Sequence, residues 1–336
     1  MLFPESFQKV FVTLNAAKSI NEPAATPPVK IFALRHSPPQ SPLLTSSEDS
    51  RKVLLLLHGY PQNHTLYYET VQELSKAGIL NHWDVVIPDL PGYGRSTKIP
   101  SMDGSHYENS KRAIAADCVA LIDTMYSPGK RFIVAGHDRG ARVAYRMAKD
   151  FRDRVLGLCL MEIIPTRMMF EKMHSSNGHQ LTYHWIFLAQ PPTLPETLIG
   201  ASSDYYFSHT IESWTGPRHR GHLDPIAVAS WVEQYRNPAV LTGSLEDYRA
   251  GASIDLEHDE EDEKLRKTAV DCPILVLHTK KFKAQHEDVA VIWDSLGSKG
   301  VTVKQVGDDQ VGHFLPIEAA ADAIPEMISW MNEIVQ

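Results

Sequence analysis

The stretch 132-FIVAGHDRGARVAYRMA-148 sets an acid, Asp138, between Gly136 and Gly140, two residues away on either side. An apolar run precedes it and a helix-like segment follows, so the acid stands on a strand-to-helix corner. Small flanking residues let the backbones at such a corner approach closely. The corner also faces the carboxyl ends of the strands, where open sheets build their sites. An Asp there could simply cap the helix. It could also attack carbon, displace a leaving group and form an ester, which water must then cleave with the help of a base.

The remaining parts of such a reaction can be sought in the chain. His313, in 307-GDDQVGHFLPIE-318, follows the last strand candidate in a glycine-containing loop and suits the base. His58 and His137 are rivals held in tight turns, where a structural hydrogen bond is the simpler role. A histidine base needs an acid to fix its tautomer. Glu162, closing an apolar run in 161-MEIIPT-166, is better placed than Asp308 or Asp309, which read as shaping the His313 loop. No acid follows the next strand, in 278-HTKKFK-283. The backbone N–H groups of Tyr60, after the first central strand, and of Arg139 are the expected donors to an oxyanion. Arg139 and Arg142, three apart, leave one side of the helix opening. Two guanidinium groups beside a nucleophilic carboxylate point to a small anionic substrate, because their planar fork matches a carboxylate.

The elements that must position these residues alternate. Apolar runs at 53–59, 84–89, 132–136, 155–161, 273–278 and 301–306 read as strands. A helix at about 108–125, one opening at the corner and one at about 318–334 separate or follow them. That rhythm predicts an α/β fold with a mostly parallel central sheet and helices on both faces. Residues 1–50 are expected to add two strands, near 9–14 and 29–36, and a proline-rich surface loop at 37–50. The core would then run over 51–165 and 269–336, with a helical cap inserted at 166–268. Within the cap, the acidic run 257-EHDEEDE-263 reads as a solvated edge.

Composition narrows the function. A net charge of −8 over 336 residues gives a nucleic acid no electrostatic support. The three cysteines, Cys118, Cys159 and Cys272, share no metal-ligand spacing, and the histidines form no convincing metal set. No metal or cofactor is expected. Neither a signal peptide nor a membrane span is legible, so a cytoplasmic location is the expectation.

HGYPQNH (58–64), DLPGYGRS (89–96), GHDRGAR (136–142), EIIPT (162–166), YHWIFLAQP (183–191), DYRAG (247–251) and GHF (312–314) occur in that order. Through them the chain, from about residue 52 onward, resembles an alpha/beta-hydrolase of the fluoroacetate dehalogenase (haloacetate dehalogenase) family. The resemblance implies Asp138 as nucleophile, His313 as base, and Arg139 and Arg142 as holders of a substrate carboxylate. It further implies that His184, Trp185 and Tyr248 donate to a departing halide, and that the protein is a homodimer. All three side chains are competent donors. The expected activity is hydrolytic dehalogenation of a small 2-haloacid. The alternative is epoxide hydrolysis from the same Asp, with Tyr248, and Tyr183 as a second phenol, protonating the ring oxygen. The chain departs from the family in three places: Glu162 stands where Asp is common, the cap after DYYFSHTIESW differs, and the stretch before about residue 50 is longer.

Overall fold

The computed structural model describes residues 2–14, 28–38, 51–173, 182–286 and 288–335. Most of the expected loop at 37–50 lies outside them. Eight strands form one sheet: β1 (Phe7–Leu14), β2 (Val29–His36), β3 (Lys52–Leu57), β4 (Trp83–Pro88), β5 (Phe132–His137), β6 (Val155–Met161), β7 (Ile274–His278) and β8 (Val301–Gln305). The spatial order is β1-β2-β4-β3-β5-β6-β7-β8. β1 and β2 pair antiparallel, and β2 lies antiparallel to β4. From β4 to β8 every pairing is parallel. The burial patterns explain this order. β4 and β5 are buried at every position, as strands covered on both faces must be, whereas the edge strands β1 and β8 alternate.

Helices α1 (Tyr68–Lys76), α2 (Lys111–Met125) and α3 (Arg139–Asp150) make the crossovers. α1 packs with the C-terminal helix Ala320–Ile334, and α2 packs with α3, so both faces of the sheet are covered. Ser110 starts α2 by accepting the Ala113 N–H at 3.2 Å. Between β6 and β7 the described residues contain helices and no strand, beginning with α4 (Thr166–Met173). In this region Asn237 and Pro238 launch the helix Pro238–Gly251, a side-chain cap followed by proline at the first helical position.

The acidic run 257–263 differs from its expectation. It belongs to the helix Ile254–Lys264, and only part of it meets solvent. Asp262 is buried and takes Arg146 Nη1 at 2.7 Å and Lys149 Nζ at 2.5 Å, while Asp259 takes Arg146 Nη2 at 2.7 Å. The helix therefore ties the inserted region to α3, the helix that opens at Asp138. Composition reveals the charge of such a run, but not which face meets a buried cation.

Candidate active site

Asp138 sits between β5 and α3 with φ 49° and ψ −116°. For a residue with a Cβ this is a strained conformation, costing about 1–3 kcal/mol. The surroundings permit nothing bulkier: a Cβ on Gly136 would come within 2.6 Å of the Ala141 backbone, and one on Gly140 would strike the carbonyls of Leu57 and His58. The strain turns the carboxylate out at the end of the sheet. There the Tyr60 N–H donates to Asp138 Oδ1 at 3.0 Å. The N–H of Arg139, first residue of α3, has no partner within its helix. Oδ2 faces His313 Nε2 at 3.8 Å.

The His313 loop is fixed from three directions. The His313 N–H donates to the Trp214 carbonyl at 2.9 Å. His137 Nε2–H donates to the His313 carbonyl at 2.7 Å. Glu318 accepts N–H bonds from Gly312 (2.8 Å), Phe314 (2.9 Å) and Gly216 (2.7 Å), clasping both sides of His313 and the end of the helix Ser203–Trp214 together. Glu318 was not singled out from the sequence. Its spacing of five from His313 could have flagged it, but its cap partner is distant in the chain. His58 is buried in a separate role: Nε2 accepts the Leu90 N–H at 2.9 Å, and Nδ1–H donates to the Gly59 carbonyl.

Glu162 follows β6 at φ 60°. The Thr279 N–H, just beyond β7, holds its Oε1 at 2.6 Å, leaving Oε2 3.6 Å from His313 Nδ1. Asp138, His313 and Glu162 thus stand in line. Both gaps exceed hydrogen-bond length, and such contacts commonly tighten when substrate binds. Burial lowers the pKa of His313, but Glu162 and then Asp138 outweigh burial and raise it above the usual histidine value. Burial likewise opposes ionisation of Asp138; the charges of His313, His137, Arg142 and Arg139 together hold its carboxyl below the usual range.

The two arginines are not equivalent. Arg139 donates from Nε to Asp247 Oδ2 and from Nη2 to the Asp247 carbonyl, each at 2.6 Å, which leaves Nη1 buried without a partner among the described residues. Asp247 also pairs with Lys111, which reaches Asp255 as well. Arg142 makes only neutral contacts, from Nη1 to the Ile164 carbonyl (2.9 Å) and to Thr166 Oγ1 (3.1 Å). Among the described residues no carboxylate lies within ion-pair distance of it. Burial, and then the charge of Arg139, lower its pKa to about 10, so it stays charged at neutral pH.

A cavity of about 590 Å³ opens here, lined by Asp138, Arg142, Glu162, His184, Trp185, Trp214 and His313 among others. His184 and Trp185 come from the helix Tyr183–Leu188. Burial lowers the pKa of His184 to about 3, so its ring is neutral, and its Nδ1 has no partner among the described residues. Trp185 stacks beneath the Arg142 guanidinium at 4.6 Å, and Tyr248 beneath that of Arg139 at 4.2 Å. Arg139 and Tyr248 are buried beside the cavity wall without forming its lining. Tyr183 is about half exposed and is not among the described residues that line the cavity. Among the described residues no group of His, Cys, Asp and Glu could hold a metal, and no helix is long and apolar enough to cross a membrane.

Residues 52–320 match the model of the alpha/beta hydrolase fold. The chain is similar to a fluoroacetate dehalogenase from Burkholderia sp., 40% identical over 227 residues, which are 68% of this chain and 70% of that protein. It is also similar to a soluble epoxide hydrolase from Corynebacterium sp. (strain C12), 25% identical over 268 residues, 79% of this chain and 85% of that one. A crystal structure described as an alpha/beta hydrolase from Nostoc sp. PCC 7120 superposes with a TM-score of 0.78 at 33% identity, covering 100% of this chain and 99% of its own.

Proposed function

The chain belongs to the alpha/beta hydrolase fold family, and from that premise we propose that it hydrolyses small 2-haloacids through an ester on Asp138. The observation that carries this reading is Arg142, a buried guanidinium at the cavity wall with no carboxylate partner among the described residues. A buried charge is costly unless something pairs with it. A substrate carboxylate supplies the pair and brings its neighbouring carbon toward Asp138.

Asp138 Oδ2 attacks that carbon, and the carbon–halogen bond breaks with its electron pair leaving on the halide. His184 and Trp185 offer ring N–H donors to the charge that develops only as this bond breaks, with the Tyr248 phenol close behind them. Oδ1, already bonded to the Tyr60 N–H, becomes the ester carbonyl oxygen. Water then attacks the ester carbonyl, and His313 Nε2 takes the water's proton. The oxyanion gathers between the N–H groups of Tyr60 and Arg139. Collapse releases the 2-hydroxy acid, whose oxygen takes the proton back from His313. Esterification removes the charge of Asp138, one of the causes that raise the pKa of His313, so the imidazole becomes readier to act as a base when a base is needed.

The second reading keeps Asp138 and replaces the haloacid by an epoxide bearing a carboxylate. The buried Tyr248 phenol beside Trp185 and His184 favours it as a proton source. A panel separates the two readings: chloroacetate, fluoroacetate, chloroacetamide, glycidate and styrene oxide. Much faster release of halide from the two acids than from the amide is expected. Turnover of glycidate alone would select the second reading, and turnover of the neutral epoxide alone would overturn both.

A further inference from the structure

The cavity is larger than a haloacetate requires. Such a molecule has about five heavy atoms and, at roughly the 30 Å³ that one water occupies in the liquid, fills about 150 Å³. The cavity holds about 590 Å³. Its remaining wall is not simply apolar. Lys172 near the end of α4, and Lys281, Gln285 and His286 from the segment after β7, also line it.

The placement of these groups follows from the helix. Thr166, which holds Arg142 Nη1, starts α4, and Lys172 stands six residues later on the same helix (172 − 166). Six residues rise about 9 Å. Thr166 and Lys172 therefore stand near opposite ends of α4, and Lys172 lines the same cavity as Arg142. His286 is 9% exposed, and its Nδ1 is buried with no hydrogen-bond partner among the described residues. Lys172 and Arg142 are among the charges that act on it. The carboxylates among the described lining residues, Asp138 and Glu162, are engaged with Tyr60, Thr279 and His313.

We infer that this cavity contains a second anion subsite, built from Lys172, Lys281, Gln285 and His286, and that the preferred substrates are 2-substituted diacids whose far acidic group reaches it. The inference rests on the proposed Asp138 chemistry for its reactive end, and the subsite itself stands on separate residues. Two ammonium groups and an amide supply charge and donors for an oxyanion. Burial lowers the His286 pKa to about 4, so its ring adds one neutral N–H at physiological pH. A monoacid of equal length would leave that nitrogen unpaired.

Calorimetric binding of unreactive acids to the intact protein tests this without turnover. Succinate, glutarate and adipate are compared with butanoate, pentanoate and hexanoate at low salt, where charge pairing is least screened. At least one diacid should bind about tenfold more tightly than its length-matched monoacid, the effect of one partly buried charged hydrogen bond. Lys172→Met and Lys281→Met, both at positions open enough to tolerate the change, should each reduce that ratio. Diacids binding no better than monoacids, or a ratio untouched by both variants, would overturn the subsite. Halide release from the corresponding 2-chloro acids, read in parallel, separates the two ideas. Release from monoacids with no diacid gain leaves the Asp138 chemistry and removes the subsite. A diacid gain with no release from any acid keeps the subsite and removes the haloacid reading.

Discussion

Arg142→Lys isolates the fork from the charge. Arg142 spends Nη1 on the Ile164 carbonyl and Thr166 Oγ1, and its Nε has no partner among the described residues. Its plane lies 4.6 Å over the Trp185 ring. A lysine ammonium at this position cannot hold the α4 end and a substrate carboxylate in the same geometry, because its donors share one nitrogen. The substitution thus removes at least one charge-assisted hydrogen bond to the substrate, worth about 1.5–3 kcal/mol. That corresponds to a loss of roughly 12- to 160-fold in kcat/KM for chloroacetate. The assay is halide release from chloroacetate and from chloroacetamide at matched concentrations, with thermal melting as a check on folding. Chloroacetamide, which lacks the anion, should lose much less than chloroacetate. Equal losses on the two substrates, or less than about a threefold loss on chloroacetate, would refute the reasoning.

Two further outcomes follow from the base and its loop. Ester hydrolysis requires neutral His313, so its rate should fall as pH drops through the His313 pKa. Glu162 is the main group raising that pKa against burial. Glu162→Gln should therefore move this acid limb to lower pH and lower the plateau; single-turnover hydrolysis measured against pH reads both, and a limb that stays or rises contradicts the assignment. Glu318→Gln disturbs an acceptor of three backbone N–H groups and should cost about 1–3 kcal/mol of stability. It should also slow breakdown of the Asp138 ester more than its formation, so that mass spectrometry finds the adduct accumulating; equal slowing of both steps would leave Glu318 a purely structural residue.

The α/β architecture was legible because its signals are local. Apolar runs such as VLLLL, DVVIP and VLGLCLM carry their own burial, and the structure sets them in one sheet with shifts of a residue or two at their ends. The corner at Asp138 was legible for the same reason: two glycines at fixed spacing answer to backbones that nearly touch. Partner choice was less legible. Arg139 and Arg142 look alike in GHDRGAR, yet one is seized by Asp247, 108 residues away, and the other is not. Nothing in the spacing of α3 reveals that difference. Glu318 gains its role from Gly216, 102 residues off. The acidic run 257–263 was read from its composition, whereas its pairing with Arg146 and Lys149 depends on how a helix of the inserted region lies against α3. Periodicity predicts which side of an element is buried. It does not predict the charge waiting there.

The central claim is that Asp138, not water, attacks the substrate carbon. A single turnover of chloroacetate in heavy-oxygen water, with enzyme in excess, tests it directly. The account predicts that the hydroxy-acid product takes its new oxygen from Asp138 and emerges unlabelled, while digestion finds the label on the peptide containing AGHDR. Labelled product with an unlabelled Asp138 would contradict it: water would then attack carbon itself, and Asp138 would serve at most as its base.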